Sequence, residues 1–112
     1  MKRAVIAGYS RSPFTMARKG ELIDVKPVNM FAEVVKNLVS KTKVNPAHIE
    51  DIVVGCAFQV GEQSFNIGKL TTFLSGMEIH TSGMTVDRWC GSSMEAIPVS
   101  YTHLTLPTIC SV

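Results

Sequence analysis

Short apolar runs of strand type alternate with stretches of helical period along this chain, and that alternation limits the folds open to it. Ala4-Val5-Ile6-Ala7, closed by Gly8, has the continuous apolar pattern of a buried strand. From Tyr9 to Pro27 no period holds, and Ser, Gly, Pro and mixed charge predict mostly loop. Met30, Phe31, Val34, Val35, Leu38 and Val39 then form one stripe at the 3.6-residue helical period. Asn29 is the expected N-cap, and Lys41 and Lys43 suit the negative C-terminal end. Asn45-Pro46 opens a short turn with proline at the first helical position. Ile52-Val53-Val54, ended by Gly55 and Cys56, predicts a second buried strand. Asn66 to Leu74 predicts a helix on Ile67, Leu70, Phe73 and Leu74, with Gly76 as a left-handed stop. Met84-Thr85-Val86 begins a third strand running to about Trp89, and Met94 and Ile97 then begin an apolar helical face. Strand and helix alternate three times, which predicts an α/β layered fold with a mainly parallel sheet.

Composition excludes several functions. The chain has 112 residues, 46% hydrophobic and 18% charged, which predicts one globular domain at most and not a disordered segment. Eleven Lys+Arg against nine Asp+Glu leave a net charge of +2, too small and too scattered to predict a nucleic-acid or membrane-surface partner. No run approaches the roughly 18 apolar residues of a membrane span, and the apolar stretch after Lys2-Arg3 is too short for a signal peptide. Cys56, Cys90 and Cys110 form no ligand-spaced cluster, so neither a zinc site nor a disulfide framework is expected, and a reducing, cytoplasmic setting is.

The end of the chain is unlike the rest. Residues 99–112 hold no Lys, Arg, Asp or Glu, where an average stretch of this chain would hold about two or three. Val99 to Thr108 is a reading-frame translation of GTC TCT TAT ACA CAT CTG ACG CTG CCG ACG, which resembles the transposon-end adapter joined to DNA fragments for sequencing. The expectation is a native segment over residues 1–98, with coding sequence of biological origin ending near Ile97, and a non-native tail over 99–112.

Cys90 is the first candidate for chemistry. It lies in Val86-Asp87-Arg88-Trp89-Cys90-Gly91-Ser92-Ser93, where a strand is expected to end and a helix to begin. A helix N-terminus presents unpaired N–H groups and partial positive charge, which favour a thiolate, the species that attacks carbonyl carbon. Gly91 lets backbone approach a ligand, and the small Ser92 and Ser93 leave room for an acyl chain. On position alone, Cys90 is also open to a reading as a buried core cysteine, the commoner case. Cys56 reads as a small core side chain, and Cys110 lies in the foreign tail. His48 is in a surface-like turn, His80 in a connector and His103 in the tail, so no Cys–His dyad is predicted. Gly61 to Gly68 reads as a loop entering a helix and matches neither the dinucleotide nor the P-loop fingerprint.

Several of these segments together resemble the N-terminal part of the thiolase family. Arg11-Ser12-Pro13-Phe14 looks like that family's early Arg-Thr-Pro-Phe. Ile52 to Cys56, followed by Gln59, Gly61, Gln63 and Asn66, is similar to its second strand and following loop. Met84 to Ser93 looks like its nucleophile segment, and the resemblance covers about residues 3–97. It implies a partial α/β/α condensing-enzyme fold, an incomplete N-terminal domain, and thiolytic cleavage of 3-ketoacyl-CoA (or the reverse condensation), as in fatty-acid β-oxidation. Cys90 would be the acyl-thioester nucleophile and its N–H a donor to the carbonyl oxygen. Acyl-CoA and CoA would be substrates, with no cofactor and no metal, and the full-length protein would be a homodimer or homotetramer.

Asp87 stands where the family commonly has Asn, and Lys69 where Arg is frequent. The family's activating His, second catalytic Cys and CoA-binding region lie downstream of the position of Ile97, so the chain itself is expected to be inactive. Two other condensing-enzyme types, a 3-ketoacyl synthase and a thiolase-like lipid-transfer protein, share such a cysteine turn. A small non-enzymatic binding module is the reading from a different class. Sequencing the source gene across codon 98 should reveal a different continuation; finding the 99–112 tail in the genome would remove the adapter reading.

Overall fold

The first regular element forms where a proline and the apolar stripe coincide. The computed structural model describes residues 3–105, and the rest of the expected tail, Cys110 included, lies outside the described residues. Helix α1 spans Pro27–Thr42, with Lys26 at the N-cap and no side-chain cap bond. Asn29, expected as the cap, instead lies inside the first turn. Pro27 already holds φ near the helical value and lacks the N–H that a first turn leaves unpaired, so the helix starts before Asn29. Its end is as expected: Lys41 occupies the last turn and Lys43 closes it in the left-handed conformation, φ 57°. The short turn is also present, as a 3-10 segment Pro46–His48 whose Ala47 N–H donates to the Asn45 side chain at 3.0 Å.

Strand β1, Asp51–Gly55, and strand β2, Ser82–Val86, pair in parallel with Asp51 opposite Ser82 and Gly55 opposite Val86. Parallel strands need a crossover, and helix α2, Ile67–Leu74, lies on that connection. Asn66 caps it by accepting from Lys69 N–H, and Gly76 follows it at φ +73°. The helix lies in backbone contact with β2: a Cβ at Gly68 would overlap the Met84 carbonyl. Of the expected stripe on Ile67, Leu70, Phe73 and Leu74, Ile67 is buried in the core and Leu70 is half-buried. Ile67, Gly68, Thr71 and Thr72 are buried, while Phe73 and Leu74 are exposed. Small and hydroxylated residues win because the gap to the strand is narrow, and the hydroxyls bond within the fold. Thr71 donates to Ile67 O at 2.7 Å, Thr72 to Lys69 O at 2.7 Å and Thr81 to Ile49 O at 2.9 Å, so their burial leaves no orphan polar group.

Alternation along β1 sets the layers. Ile52 and Val54 pack with Ile67, Cys56, Val28 and Phe31. Val53 faces the other way and lines a cavity of about 380 Å³ with residues of helix α3, Ser92–Thr105. The result is a partial α/β/α arrangement, with α1 and α2 on one face of the two-stranded sheet and α3 on the other.

Three expectations are corrected here. Residues 4–7 form no strand, and Val5 and Ile6 are 81% and 85% exposed. Their segment is tied to α1 further along, by Ser10 to the Asn37 side chain at 3.1 Å and by Lys41 over the Tyr9 ring at 4.5 Å. An apolar run becomes a strand only when its N–H and C=O groups find a ladder partner, and among the described residues β1 pairs with β2 alone. Strand β2 ends at Val86, short of Trp89, because the Asp87 carboxylate takes the Trp89 N–H at 2.8 Å and bends the chain. Met94 and Ile97 do not cover a core: both are exposed, and Ala96 is the buried apolar residue among the described side chains of α3.

Gly68→Ala tests the crossover. Alanine in an exposed helix would gain about 1 kcal/mol over glycine. Here the added methyl meets a ladder carbonyl, and overpacking of about 1–3 kcal/mol should dominate. The expected outcome is a lower midpoint in chemical denaturation, and a higher one would refute the close approach.

Candidate nucleophile turn

Five residues, 87–91, carry the chain from the end of β2 into α3, and hydrogen bonds fold them into a tight turn. Gly91 N–H donates to Arg88 O at 2.9 Å, Ser92 N–H to Trp89 O at 3.2 Å, and Glu95 N–H to Gly91 O at 2.9 Å. Trp89 is held in the left-handed region, φ 46°, with its ring 82% exposed. For a bulky residue that conformation is an outlier costing about 1–3 kcal/mol, and it persists only where its surroundings over-determine it.

Ser92 supplies much of that determination. It is 4% exposed, and its hydroxyl accepts from Arg88 N–H at 2.8 Å and donates to Trp89 O at 2.6 Å. The Asp87 carboxylate lies 3.4 Å from the same oxygen and accepts from Trp89 N–H. Below the turn, Gly55 ends β1 directly against the backbone of Ser92 and Ser93, where a Cβ would overlap both residues. The start of α3 therefore rests on the end of the neighbouring strand. Arg88 reaches Glu95 at 3.4 Å, an exposed pair that contributes little.

Within this frame Cys90 is a free, exposed thiol, and Cys56 is free and buried. The sequence left Cys90 open between a reactive position and a packed core position; the structure places it at the surface of a strand-to-helix turn and gives the core position to Cys56. Ser92 was expected to leave room beside it for an acyl chain. The Ser92 side chain is buried inside the turn, and Ser93 lines a cavity that Cys90 does not line. Ser92's hub role was missed, although its place two residues after Cys90 and five after Asp87 was a readable spacing.

The histidines lie elsewhere. His48 and His103 line a cavity of about 250 Å³ with Asp51 and Ser100, and Cys90 is not among its lining residues. The His80 ring meets Ala47 O at 3.1 Å. Among the described residues no three His, Cys, Asp or Glu side chains gather as metal ligands, and no helix is long and apolar enough to cross a membrane. Lys69, the other departure noted above, donates to Thr81 O at 2.7 Å and lies over the Phe73 ring at 4.9 Å. The loop before α2 is joined to β2 through Asn66, which donates to Gly83 O at 3.0 Å and accepts from Thr85 at 2.7 Å.

Known proteins resemble this chain in sequence and in fold. The family described as thiolase, N-terminal domain, matches residues 4–106. The chain is 39% identical over 98 residues to a 3-ketoacyl-CoA thiolase of Shewanella sp. (strain ANA-3), covering 87% of this chain and 25% of that protein. It is 36% identical over 105 residues to the 3-ketoacyl-CoA thiolase of Colwellia psychrerythraea, covering 93% and 27%. The crystal structure of Acat5 thiolase from Ascaris suum in complex with coenzyme A superposes with a TM-score of 0.71 at 22% identity, over 77% of this chain and 22% of that one. The Bacillus anthracis acetyl-CoA acetyltransferase does so with a TM-score of 0.66 at 23% identity, over 74% and 21%. The chain spans about a quarter of the length of the curated relatives it matches.

Native-state alkylation with iodoacetamide, read by mass spectrometry, should label Cys90 well before Cys56, with the difference vanishing in denaturant. Equal native rates would contradict the burial described here.

Proposed function

The chain belongs to the thiolase family through its N-terminal domain, and from that membership we propose that it is the nucleophile-bearing part of an acyl-CoA C-acyltransferase. The observation that carries this reading is an exposed free thiol at Cys90, on a pinned turn between β2 and the start of α3. The names of the 3-ketoacyl-CoA thiolase relatives support the substrate class. The coenzyme A in the Ascaris suum structure supports a CoA-linked substrate, and on this reading CoA is a substrate consumed in thiolysis rather than a cofactor.

The proposed chemistry has two half-reactions. The Cys90 thiolate attacks the 3-keto carbon of a 3-ketoacyl-CoA, forming a carbon–sulfur bond and placing negative charge on the carbonyl oxygen. Backbone N–H groups stabilise that charge, with the Cys90 N–H as the candidate from this chain. As the carbonyl re-forms, the bond between carbons 2 and 3 breaks. Its electron pair leaves with the acetyl-CoA unit, which takes a proton from a general acid. In the second half-reaction the thiolate of another CoA attacks the Cys90 thioester, releasing the shortened acyl-CoA and restoring the Cys90 sulfur. The second half-reaction exchanges one thiolate for another of similar leaving ability, and in the first the departing carbanion is protonated as it leaves, so the sequence runs in either direction.

The groups that move the protons belong to the remainder of a full-length protein on this reading, since the histidines of this chain lie in other parts of the fold. The 112-residue chain is accordingly proposed to be an inactive portion of a cytoplasmic enzyme that works as a homodimer or homotetramer. Residues 99–112 are proposed to be foreign. The family match at residues 4–106 and helix α3 at Ser92–Thr105 both overlap that junction, so the DNA continuation decides it.

In the full-length protein, Cys90→Ser should abolish the acyl-enzyme seen by mass spectrometry after mixing with acetoacetyl-CoA. Thiolysis should fall by about 10³-fold or more, the scale on which removal of a covalent nucleophile acts. The 112-residue chain alone should show no turnover. Full activity in Cys90→Ser would exclude Cys90 from the reaction.

A further inference from the structure

The turn that presents Cys90 is held by a side chain that never reaches the surface. Ser92 is 4% exposed, so its hydroxyl is closed to solvent and to substrate alike. Its one proton goes to Trp89 O, the shorter of two acceptor distances, 2.6 Å against 3.4 Å to Asp87. Its lone pairs receive Arg88 N–H at 2.8 Å. The two backbone groups it joins flank the left-handed Trp89 residue, and the Asp87 carboxylate holds the intervening Trp89 N–H at 2.8 Å. Every partner of the Ser92 hydroxyl is thus within the loop whose next residue is Cys90.

We propose that Ser92, backed by Asp87, is a positioning residue for Cys90: it locks the left-handed turn and so keeps the sulfur in one place beside the start of α3. This rests on the reading of Cys90 as the acyl carrier, and adds that carrier's support. A serine at this point does what glycine or alanine would not. Without the hydroxyl, the strain at Trp89 is opposed only by Asp87 and the backbone bonds of the turn, and neighbouring conformations of residues 88–91 become populated. A thiol that samples several places attacks a bound carbonyl less often, even though it stays accessible.

The test uses the full-length protein with Ser92→Ala, Ser92→Thr and Asp87→Ala. Hydrogen exchange at the Arg88 amide should quicken up to about tenfold in Ser92→Ala, the scale of one lost hydrogen bond. Its kcat should fall about 10–100-fold, the cost of slight misplacement, while KM stays within about threefold. Ser92→Thr, which keeps the hydroxyl, should recover both values. Asp87→Ala should quicken exchange at the Trp89 amide and lower kcat in the same sense, and it carries the test if Ser92→Ala does not fold. Unchanged Arg88 exchange in Ser92→Ala would overturn the proposal, as would equal loss in the Thr and Ala variants, or wild-type kcat in Asp87→Ala. A fully active Cys90→Ser enzyme would sink the acyl-carrier reading instead, and the exchange measurements would still decide whether Ser92 pins the turn.

Discussion

Parallel pairing of β1 with β2 is the constraint from which the rest of this structure follows. Because the two strands run the same way and Gly55 lies opposite Val86, both end at one level, and the chain leaves both at one side of the sheet. The connection between them must recross the sheet, and it does so through α2, pressed so near to β2 that position 68 admits no side chain. The ladder continues one step past the strands, where Cys56 N–H donates to Val86 O at 3.0 Å. Beyond that point β2 turns sharply and α3 begins. Sites of open α/β sheets gather at the carboxyl ends of their strands, and the Cys90 turn is in that place.

The turn balances opposing contributions. Trp89 adopts a conformation that costs about 1–3 kcal/mol, and hydrogen bonds from Asp87, Ser92 and the backbone offset it. Each such bond contributes about 0.5–1.5 kcal/mol net, so the arrangement needs several of them at once. The two cysteines show the same division at the scale of the domain. Cys56, held between strand and core, acts as a small apolar side chain, whereas Cys90 is lifted out of the packing. Trp89 shares its left-handed conformation with Arg18, Lys43, Phe65 and Asn66, and it is the one of them beside the exposed thiol.

Much of the fold was legible in the sequence, and the misses have physical causes. The 3.6-residue stripe of α1, the runs of β1 and β2 and the Gly76 stop depend on local periodicity and backbone preference, which a sequence displays directly. Ala4 to Ala7 carries the same apolar signal as β1, yet a strand also needs a partner edge, and no periodicity records whether one exists. In α2 Ile67 was rightly placed, but Phe73 and Leu74 pointed to the wrong face, because the packed side is fixed by how close Gly68 comes to Met84, a tertiary distance. At the site, the position of Cys90 between strand and helix was legible from the change of pattern around it. Ser92 was legible as small but not as buried and bonded, since its partners are backbone groups whose arrangement appears only once Trp89 turns left-handed.

The exposed indole of Trp89 has one more consequence. The sequence contains a single tryptophan, so emission excited above the tyrosine absorption band originates on the residue bonded directly to Cys90. A fluorophore there, open to water and fixed to the same bend, makes the protein its own optical gauge of what happens at that bend, with no dye attached.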